Sequence, residues 1–199
     1  MNRTIPLVVC LAAEAISLVA SSLAVQGGTA SFVVNTTVPG ISVKGKSTAL
    51  EAHATLERVP EGLKLENIHA SLPVRSFATG MSLRDEHMRR YIFTTAQGTT
   101  PDLRFDGVDS TCAADHGSDV SCKVSGELSI RGVARPFTIT LKLKTENAAY
   151  HASGDALVKL SDYGIEQPSQ FGVKTANDVQ LHLELNGKAA DTIADGGRR

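Results

Sequence analysis

The feature that most constrains the fold is a strict two-residue alternation of apolar and polar side chains. Between Val120 and Arg131, apolar or small residues occupy the even positions, and Ser, Lys, Glu or Arg occupy the odd ones. The same period continues in three later segments, namely Phe137–Lys144, Tyr150–Leu160 and Val179–Asn186. An α-helix repeats every 3.6 residues, so a period of two indicates β-strands with one face in the core and one in water.

Shorter segments in the first half of the chain extend this pattern. They are Ala30–Asn35, Ile41–Lys46, Leu50–Glu57, Leu63–Val74 and a strand that opens at Leu103. A change of phase within the fourth predicts a β-bulge near Glu66–Asn67. Roughly eight strands with short turns favour an up-and-down antiparallel barrel, with a two-sheet sandwich as the alternative.

One segment, Thr79–Phe93, breaks the alternation and predicts a short helix. Ser82 followed by Asp85 resembles a capping box, with Asp in the place of Glu. Met81 and Met88 lie seven residues apart and therefore share one face of the helix. On a barrel, a helix of this kind covers an open end.

The two ends of the chain differ from the strand-rich middle. Residues 1–24 predict a secretory signal, because Arg3 precedes an apolar run that ends in a small-x-small cleavage site. Lipidation of Cys10 is the alternative, although large residues precede it. We therefore expect a domain at 25–187, a disordered polar tail at 188–199, and a periplasmic or secreted protein without stable membrane insertion after signal cleavage.

The mature chain contains two cysteines, Cys112 and Cys122. An even count in an exported protein favours a disulfide, here across a polar hairpin loop. His116 lies between them, which makes a metal site the alternative.

Composition and motifs narrow the classes of function. The formal net charge is -1, so the chain lacks the basic footprint of a nucleic-acid-binding protein. The sequence contains no nucleophile elbow, phosphate-binding loop or dinucleotide fingerprint, and its histidines do not cluster. We therefore predict no nucleic-acid partner, no metal, no cofactor and no enzymatic activity.

Four stretches together resemble the bacterial YceI-like family of exported, polyisoprenoid-binding proteins. They are Arg84-Asp85-Glu86-His87-Met88, Pro101-Asp102-Leu103-Arg104-Phe105, Gly126–Pro136 and Leu160-Ser161-Asp162-Tyr163-Gly164-Ile165. They follow one another in the order expected for that family and span most of the mature chain. A longer Lys44–Arg58 region and the cysteine loop depart from the family's pattern.

The resemblance implies an all-β, eight-stranded antiparallel lipocalin-like barrel with a short helix covering one end. It also implies a long apolar ligand, such as an isoprenoid quinone or a polyprenyl lipid, inside the barrel. Without the resemblance, the same inward face would be an ordinary packed core. The expected ligand-binding residues are Met81, Asp85, Met88, Phe105, Val124, Leu128, Ile130, Phe137, Ile139, Leu141, Tyr150, Val158, Leu181 and Leu183.

Some alternatives stay open at this point. Asp85 either hydrogen-bonds the head group of a ligand or only caps the helix, and its position favours the cap. The protein either carries a lipid, modifies a lipid with Asp85 and His87 at the mouth of the pocket, or protects other molecules through its outer face. The sequence also leaves the oligomeric state open, and a homodimer is one of the alternatives.

Overall fold

The fold is one antiparallel sheet that closes on itself. The computed structural model describes residues 20–59, 62–114, 119–146 and 149–191. Within these ranges the strands are β1 (Ala20–Thr36), β2 (Ser42–Ser47), β3 (Glu51–Val59), β4 (Gly62–Leu72), β5 (Leu103–Ala114), β6 (Val120–Ile130), β7 (Val133–Glu146), β8 (Ala149–Lys159), β9 (Ser169–Gln170) and β10 (Val173–Asp191). The helical segments are a 3-10 turn (Val74–Ser76), α1 (Ser82–Met88), a π-helical turn (Arg89–Phe93) and a second 3-10 turn (Leu160–Tyr163).

The long strand β1 closes the barrel. One edge of β1 pairs with β10, while the other pairs with β3 in its first part and with β2 in its last part. The closed ring is therefore β1, β3, β4, β5, β6, β7, β8 and β10, with β2 and β9 as short additions. This confirms the eight-stranded barrel with one short helix and excludes the sandwich. Closure pairs strand edges that would otherwise be open to other chains.

The predicted bulge in β4 is confirmed. His53 pairs with His69 and Thr55 pairs with Glu66, so β4 carries one extra residue between these pairs. Asn67 absorbs it with a positive φ of 49°, a conformation that Asn tolerates better than most residues. The phase change in the sequence therefore marks a true bend of the strand.

Glycine allows close packing where β5 meets β6. A Cβ at Gly126 would lie 2.2 Å from the carbonyl oxygen of Asp106 and 2.8 Å from the ring of Phe105. Any side chain there would push β5 away or displace the ring. Gly126 therefore allows Phe105 to lie across the inside of the barrel.

The helical segment is shorter and less regular than predicted. The sequence predicts one helix within Thr79–Phe93, whereas α1 ends at Met88 and the chain continues as a π-helical turn. Met81 is the N-cap residue, and no side chain caps the helix. The predicted capping box is therefore wrong, because Ser82 already lies inside the helix. No helix in the described part of the chain is long and apolar enough to cross a bilayer.

The ends of the described chain pair with each other. Ser21 lies opposite Asp191 in the β1–β10 ladder, so β10 continues past residue 188 and into the stretch expected to be disordered. Residues 192–199 lie outside the described residues, as do residues 1–19 of the expected signal. The expected cleavage point after residue 24 falls within β1.

The predicted disulfide between Cys112 and Cys122 is confirmed. The two residues lie directly opposite each other in the β5–β6 ladder, with their Cα atoms 4.0 Å apart. The bond therefore joins two strands that already pair. His116, the third residue of the alternative metal site, lies outside the described residues.

The interior consists of two hydrophobic clusters, one toward each end of the barrel. The cluster at the helix end contains Phe77, Phe93 and Leu128, while that at the disulfide end contains Cys122 and Val124. Phe105, Phe137 and Leu183 contact both clusters. Both clusters contribute side chains to the lining of an internal cavity.

Candidate ligand-binding cavity

A cavity of about 1130 Å³ occupies the interior of the barrel. Ligand pockets for small molecules have volumes of roughly 300–1,000 Å³, so this one is large for a protein of this size. Most of the side chains that line it are hydrophobic and come from the inward faces of the strands. Tyr91 and Phe171 line the cavity and are also exposed, so it opens to solvent beside them.

Most of the residues expected to bind ligand line this cavity. Those in the lining are Met88, Phe105, Val124, Leu128, Ile130, Phe137, Ile139, Leu141, Val158, Leu181 and Leu183. The sequence predicted the inward direction of the ten strand residues because alternation assigns every second residue of a strand to one face, whereas Met88 lies on α1. Their contact with a ligand stays a prediction.

Three expected residues lie outside the lining. Met81 precedes the first turn of α1 and is 57% exposed. Contrary to the prediction, it does not cover the cavity. Tyr150 is half-buried and packs on the cluster at the disulfide end. Asp85 does not line the cavity either, because its carboxylate is bonded to residue 79.

Asp85 anchors the entry to the helix. Its carboxylate accepts hydrogen bonds from the backbone N–H of Thr79, at 2.8 Å, and from the Thr79 hydroxyl. The Arg84 Nε donates to that same hydroxyl at 2.8 Å. The Thr79 hydroxyl first, then its N–H and the charge of Arg89, hold the pKa of Asp85 below its ordinary value, against the effect of burial. This supports the structural role of Asp85, although it ties down the segment before the helix rather than the N-cap.

An aromatic cluster at the helix end of the cavity escaped the sequence analysis. The rings of Phe32 and Phe77 meet edge-on with centroids 5.6 Å apart, and those of Phe77 and Phe93 stack at 6.1 Å. All three rings line the cavity. Phe77 follows a 3-10 turn outside any periodic element, so alternation could not find it. In the sequence, the only indication of its role is that Phe77 is a large apolar residue in a loop.

Polar groups of the lining come mainly from the helix, the turns and the loops. Arg84 and His87 lie on α1, Arg131 lies in the β6–β7 turn, and Glu166 lies in the loop before β9. Arg104 on β5 completes the charged groups of the lining. The sequence analysis considered His87 only as part of an enzyme and missed the arginines, because a lone Arg has no spacing signal. The three arginines and His87 can donate hydrogen bonds to an oxygen-bearing head group, whereas Glu166 can accept one.

Two His–Asp pairs lie on the outer side of the barrel, outside the cavity lining. The Nδ1 atom of His69 is 2.7 Å from Oδ1 of Asp106, and that of His182 is 2.8 Å from Oδ1 of Asp155. The hydrogen bond to Asp155 is the main cause that raises the pKa of His182, with a smaller contribution from Glu184. Within the described residues, no three His, Cys, Asp or Glu side chains are placed to hold a metal ion.

The barrel, the helix and the cavity can be compared with known proteins. A sequence profile described as the YceI-like domain matches residues 21–187. The chain belongs to the YceI-like family. The resemblance seen in the four motifs is thereby confirmed.

Relatives by sequence include UPF0312 proteins from pseudomonads. A UPF0312 protein of Pseudomonas paraeruginosa is 27% identical over 128 residues, which cover 61% of this chain and 62% of that protein. A UPF0312 protein of Pseudomonas aeruginosa matches to the same extent. The match thus spans less than two-thirds of the length of these relatives.

Solved structures share the YceI-like fold. BcnA of Burkholderia cenocepacia superimposes with a TM-score of 0.60 at 18% identity, covering 80% of this chain and 95% of BcnA. A polyisoprenoid-binding domain of Saccharophagus degradans gives 0.59 at 17% identity, covering 87% and 100%. The YceI protein of Campylobacter jejuni gives 0.61 at 16%, covering 77% and 89%. At these identities the comparison shows the fold alone.

Proposed function

We propose that the protein is an exported carrier that holds an amphiphilic isoprenoid or another long-chain lipid in its barrel. The observation that carries the proposal is the cavity of about 1130 Å³ with its mainly hydrophobic lining. A polyisoprenoid-binding domain with the same fold supports this ligand class. An isoprenoid quinone or a polyprenyl lipid fits it, and the expected export signal favours the periplasm.

The hydrophobic effect supplies enough free energy for such binding. Each methylene group transferred from water to the cavity contributes roughly 0.8 kcal/mol. A few isoprene units therefore offset the loss of translational and rotational freedom on binding. The arginines and His87 would then meet the polar end of the ligand, while the strands surround its tail.

Carriage is favoured over a lipid-modifying enzyme by the position of Asp85. The enzyme alternative needs Asp85 and His87 together at the mouth of the pocket. His87 lines the cavity, but the Asp85 carboxylate is bonded to Thr79 and lies outside the lining. A carboxylate that accepts two hydrogen bonds and has a lowered pKa is a poor general base.

Native mass spectrometry of the protein from its own host, followed by organic extraction, tests the proposal. We expect a stoichiometric lipid of several hundred daltons, which the extraction identifies. A protein that stays free of ligand after incubation with quinones and polyprenols contradicts carriage.

A matched pair of variants shows whether the lipid sits in the cavity. Ala52 is half-buried in the lining, whereas Ala134 is exposed on β7. Ala52→Phe fills part of the cavity, so we expect it to weaken lipid binding at least about tenfold, the equivalent of two buried methylenes. Ala134→Phe adds the same ring outside and should leave affinity unchanged. Equal effects of both variants would place the ligand elsewhere.

A further inference from the structure

We propose that the mouth of the cavity docks on the surface of an anionic membrane through exposed apolar side chains on its rim. The mouth rim consists of three segments, residues 36–44, 81–93 and 164–175, each of which contributes side chains to the cavity lining. The inference goes beyond lipid carriage and rests on exposed large hydrophobic residues of the mouth rim, of which only Tyr91 and Phe171 also line the cavity.

The exposed large hydrophobic residues concentrate on the mouth rim. Eight such residues occur in the part of the chain that the structure describes: Val38, Ile41, Met81, Leu83, Tyr91, Val108, Leu157 and Phe171. All but Val108 and Leu157 belong to the mouth rim. Single apolar residues on a surface are ordinary, but six around one opening mark an interaction surface.

Phe171 is the most exposed of these residues, at 97%. It occupies the tip of the β9–β10 hairpin with a positive φ of 50°, followed by Gly172 at 79°. Asn or Asp is the favoured residue before Gly in such a turn, because a bulky side chain is strained at positive φ. The hairpin thus places a large apolar ring in water at a strained position, which no contact within the described fold explains.

The β1–β2 turn stands beside this hairpin. The backbone N–H of Thr37 donates to the carbonyl oxygen of Lys174 at 2.8 Å, and the N–H of Lys174 donates to the Thr37 hydroxyl at 3.1 Å. Val38 and Ile41 are therefore held next to the hairpin that carries Phe171. Two neighbouring turns with apolar tips suit insertion between lipid head groups, where aromatic side chains are also favoured.

The charge of the mouth rim favours an anionic bilayer over other occupants. Its three segments contain five basic residues, Lys44, Arg84, Arg89, Arg90 and Lys174, and three acidic ones, Asp85, Glu86 and Glu166. The rim thus carries a formal charge of +2, whereas the whole chain carries -1. Basic residues beside apolar tips are attracted to anionic head groups. The cavity opens at the same rim, so docking would bring its entrance to the lipid surface.

Vesicle co-sedimentation of the full chain tests the proposal. The probes are phosphatidylcholine vesicles with and without phosphatidylglycerol. We expect binding to the anionic vesicles that weakens as salt is raised, because salt screens the attraction. Phe171→Ser combined with Ile41→Ser should lower the partition coefficient by about tenfold or more. Leu157→Ser removes an exposed apolar residue outside the mouth rim and should change nothing.

Two results would overturn the docking proposal. One is the absence of binding to anionic vesicles by the unmodified protein, which would leave a protein partner as the occupant of the rim. The other is an equal loss in Leu157→Ser and in the Phe171/Ile41 double variant. Extraction of bound lipid from the unmodified protein separates this proposal from carriage. An unmodified protein that carries lipid but does not bind anionic vesicles contradicts docking alone, and one that binds these vesicles but carries no lipid contradicts carriage alone.

Discussion

The hydroxyl of Ser110 satisfies both backbone groups of Leu65. It accepts a hydrogen bond from the Leu65 N–H at 2.8 Å and donates one to the Leu65 carbonyl oxygen at 2.6 Å. Strands β4 and β5 pair through their backbones only between His69–Leu72 and Leu103–Asp106. Beyond that ladder, the side chain of Ser110 replaces the missing backbone partner and keeps the two strands joined.

We predict that Ser110→Ala lowers the free energy of unfolding by about 2–3 kcal/mol, because two buried backbone groups lose their partner. Urea denaturation followed by circular dichroism measures the change. Ser129→Ala on β6 is the matched control, and it should stay within about 0.5 kcal/mol of the unmodified protein. A loss in Ser110→Ala no larger than in the control would show that water replaces the hydroxyl.

The position of Ser110 shows where alternation stops predicting which side chains face the interior. Leu103 and Phe105 face the interior at odd positions, and the pattern predicts that this phase continues along β5. A bulge at Val108 shifts the register between Gly107 and Asp109, so that Ser110 at an even position faces inward instead. The eight strands and most of the lining followed from the sequence. The direction of the side chains after the bulge in β5 did not follow from the sequence. Asp109 and Ser110 are both polar, so no alternation shows which of them faces inward.

The disulfide should contribute to stability without shaping the cavity. We predict that reduction of Cys112–Cys122 lowers the free energy of unfolding by about 2–3 kcal/mol. The disulfide closes a short loop in the unfolded chain, and opening that loop raises the conformational entropy of the unfolded state. Urea denaturation with and without reductant measures the difference. Neither cysteine lines the cavity, so lipid binding by the reduced protein under native conditions should be unchanged. Loss of binding on reduction would show that the two ends of the barrel are coupled.

The anchor between Asp85 and Thr79 gives a prediction with a defined pH dependence. Asp85→Asn keeps an acceptor but removes the charge, so we expect a loss of about 1 kcal/mol at neutral pH. Because the pKa of Asp85 is lowered in the fold, its contribution is present above the unfolded pKa of about 4 and is lost as the pH falls. Unfolding measured at about pH 7 and about pH 3 shows how much of this contribution is lost as the carboxylate becomes protonated.

Glu86→Gln serves as the control for this anchor, since it removes the neighbouring exposed charge on the same helix. It should be nearly neutral at both pH values. If the cost of Asp85→Asn did not decrease between about pH 7 and about pH 3, the ionised carboxylate would not be its cause.

The strand residues that line the cavity were predictable from the sequence, whereas the residues in the turns at its mouth were not. Leu128 and Leu183 lie in strands whose period fixes their direction. Phe171 lies in a two-residue hairpin turn, outside the segments in which the sequence shows alternation, and Phe77 lies in an irregular turn. Directions in such segments depend on backbone angles and on contacts with distant strands, such as that between Thr37 and Lys174. No local pattern encodes these contacts.

His182 should make the stability of the barrel weakly dependent on pH near neutrality. Its pKa is raised in the fold, first by the hydrogen bond to Asp155, so its stabilising contribution is complete below the unfolded pKa of about 6.5. The contribution is lost as the pH rises through the folded value. Since the side chain of His182 is 42% exposed, solvent screens the pair, and we expect about 0.5 kcal/mol or less.

Titration of His182 by NMR provides the direct measurement. Asp155→Asn should lower the pKa of His182 more than Glu184→Gln does, because the 2.8 Å bond to Asp155 outweighs the 3.6 Å contact between the His182 Nε2 and Glu184. The stability difference between the unmodified protein and Asp155→Asn should be largest near about pH 5 and vanish above about pH 8. A larger pKa decrease in Glu184→Gln would show that the imidazolium pairs along β10 rather than across to β8.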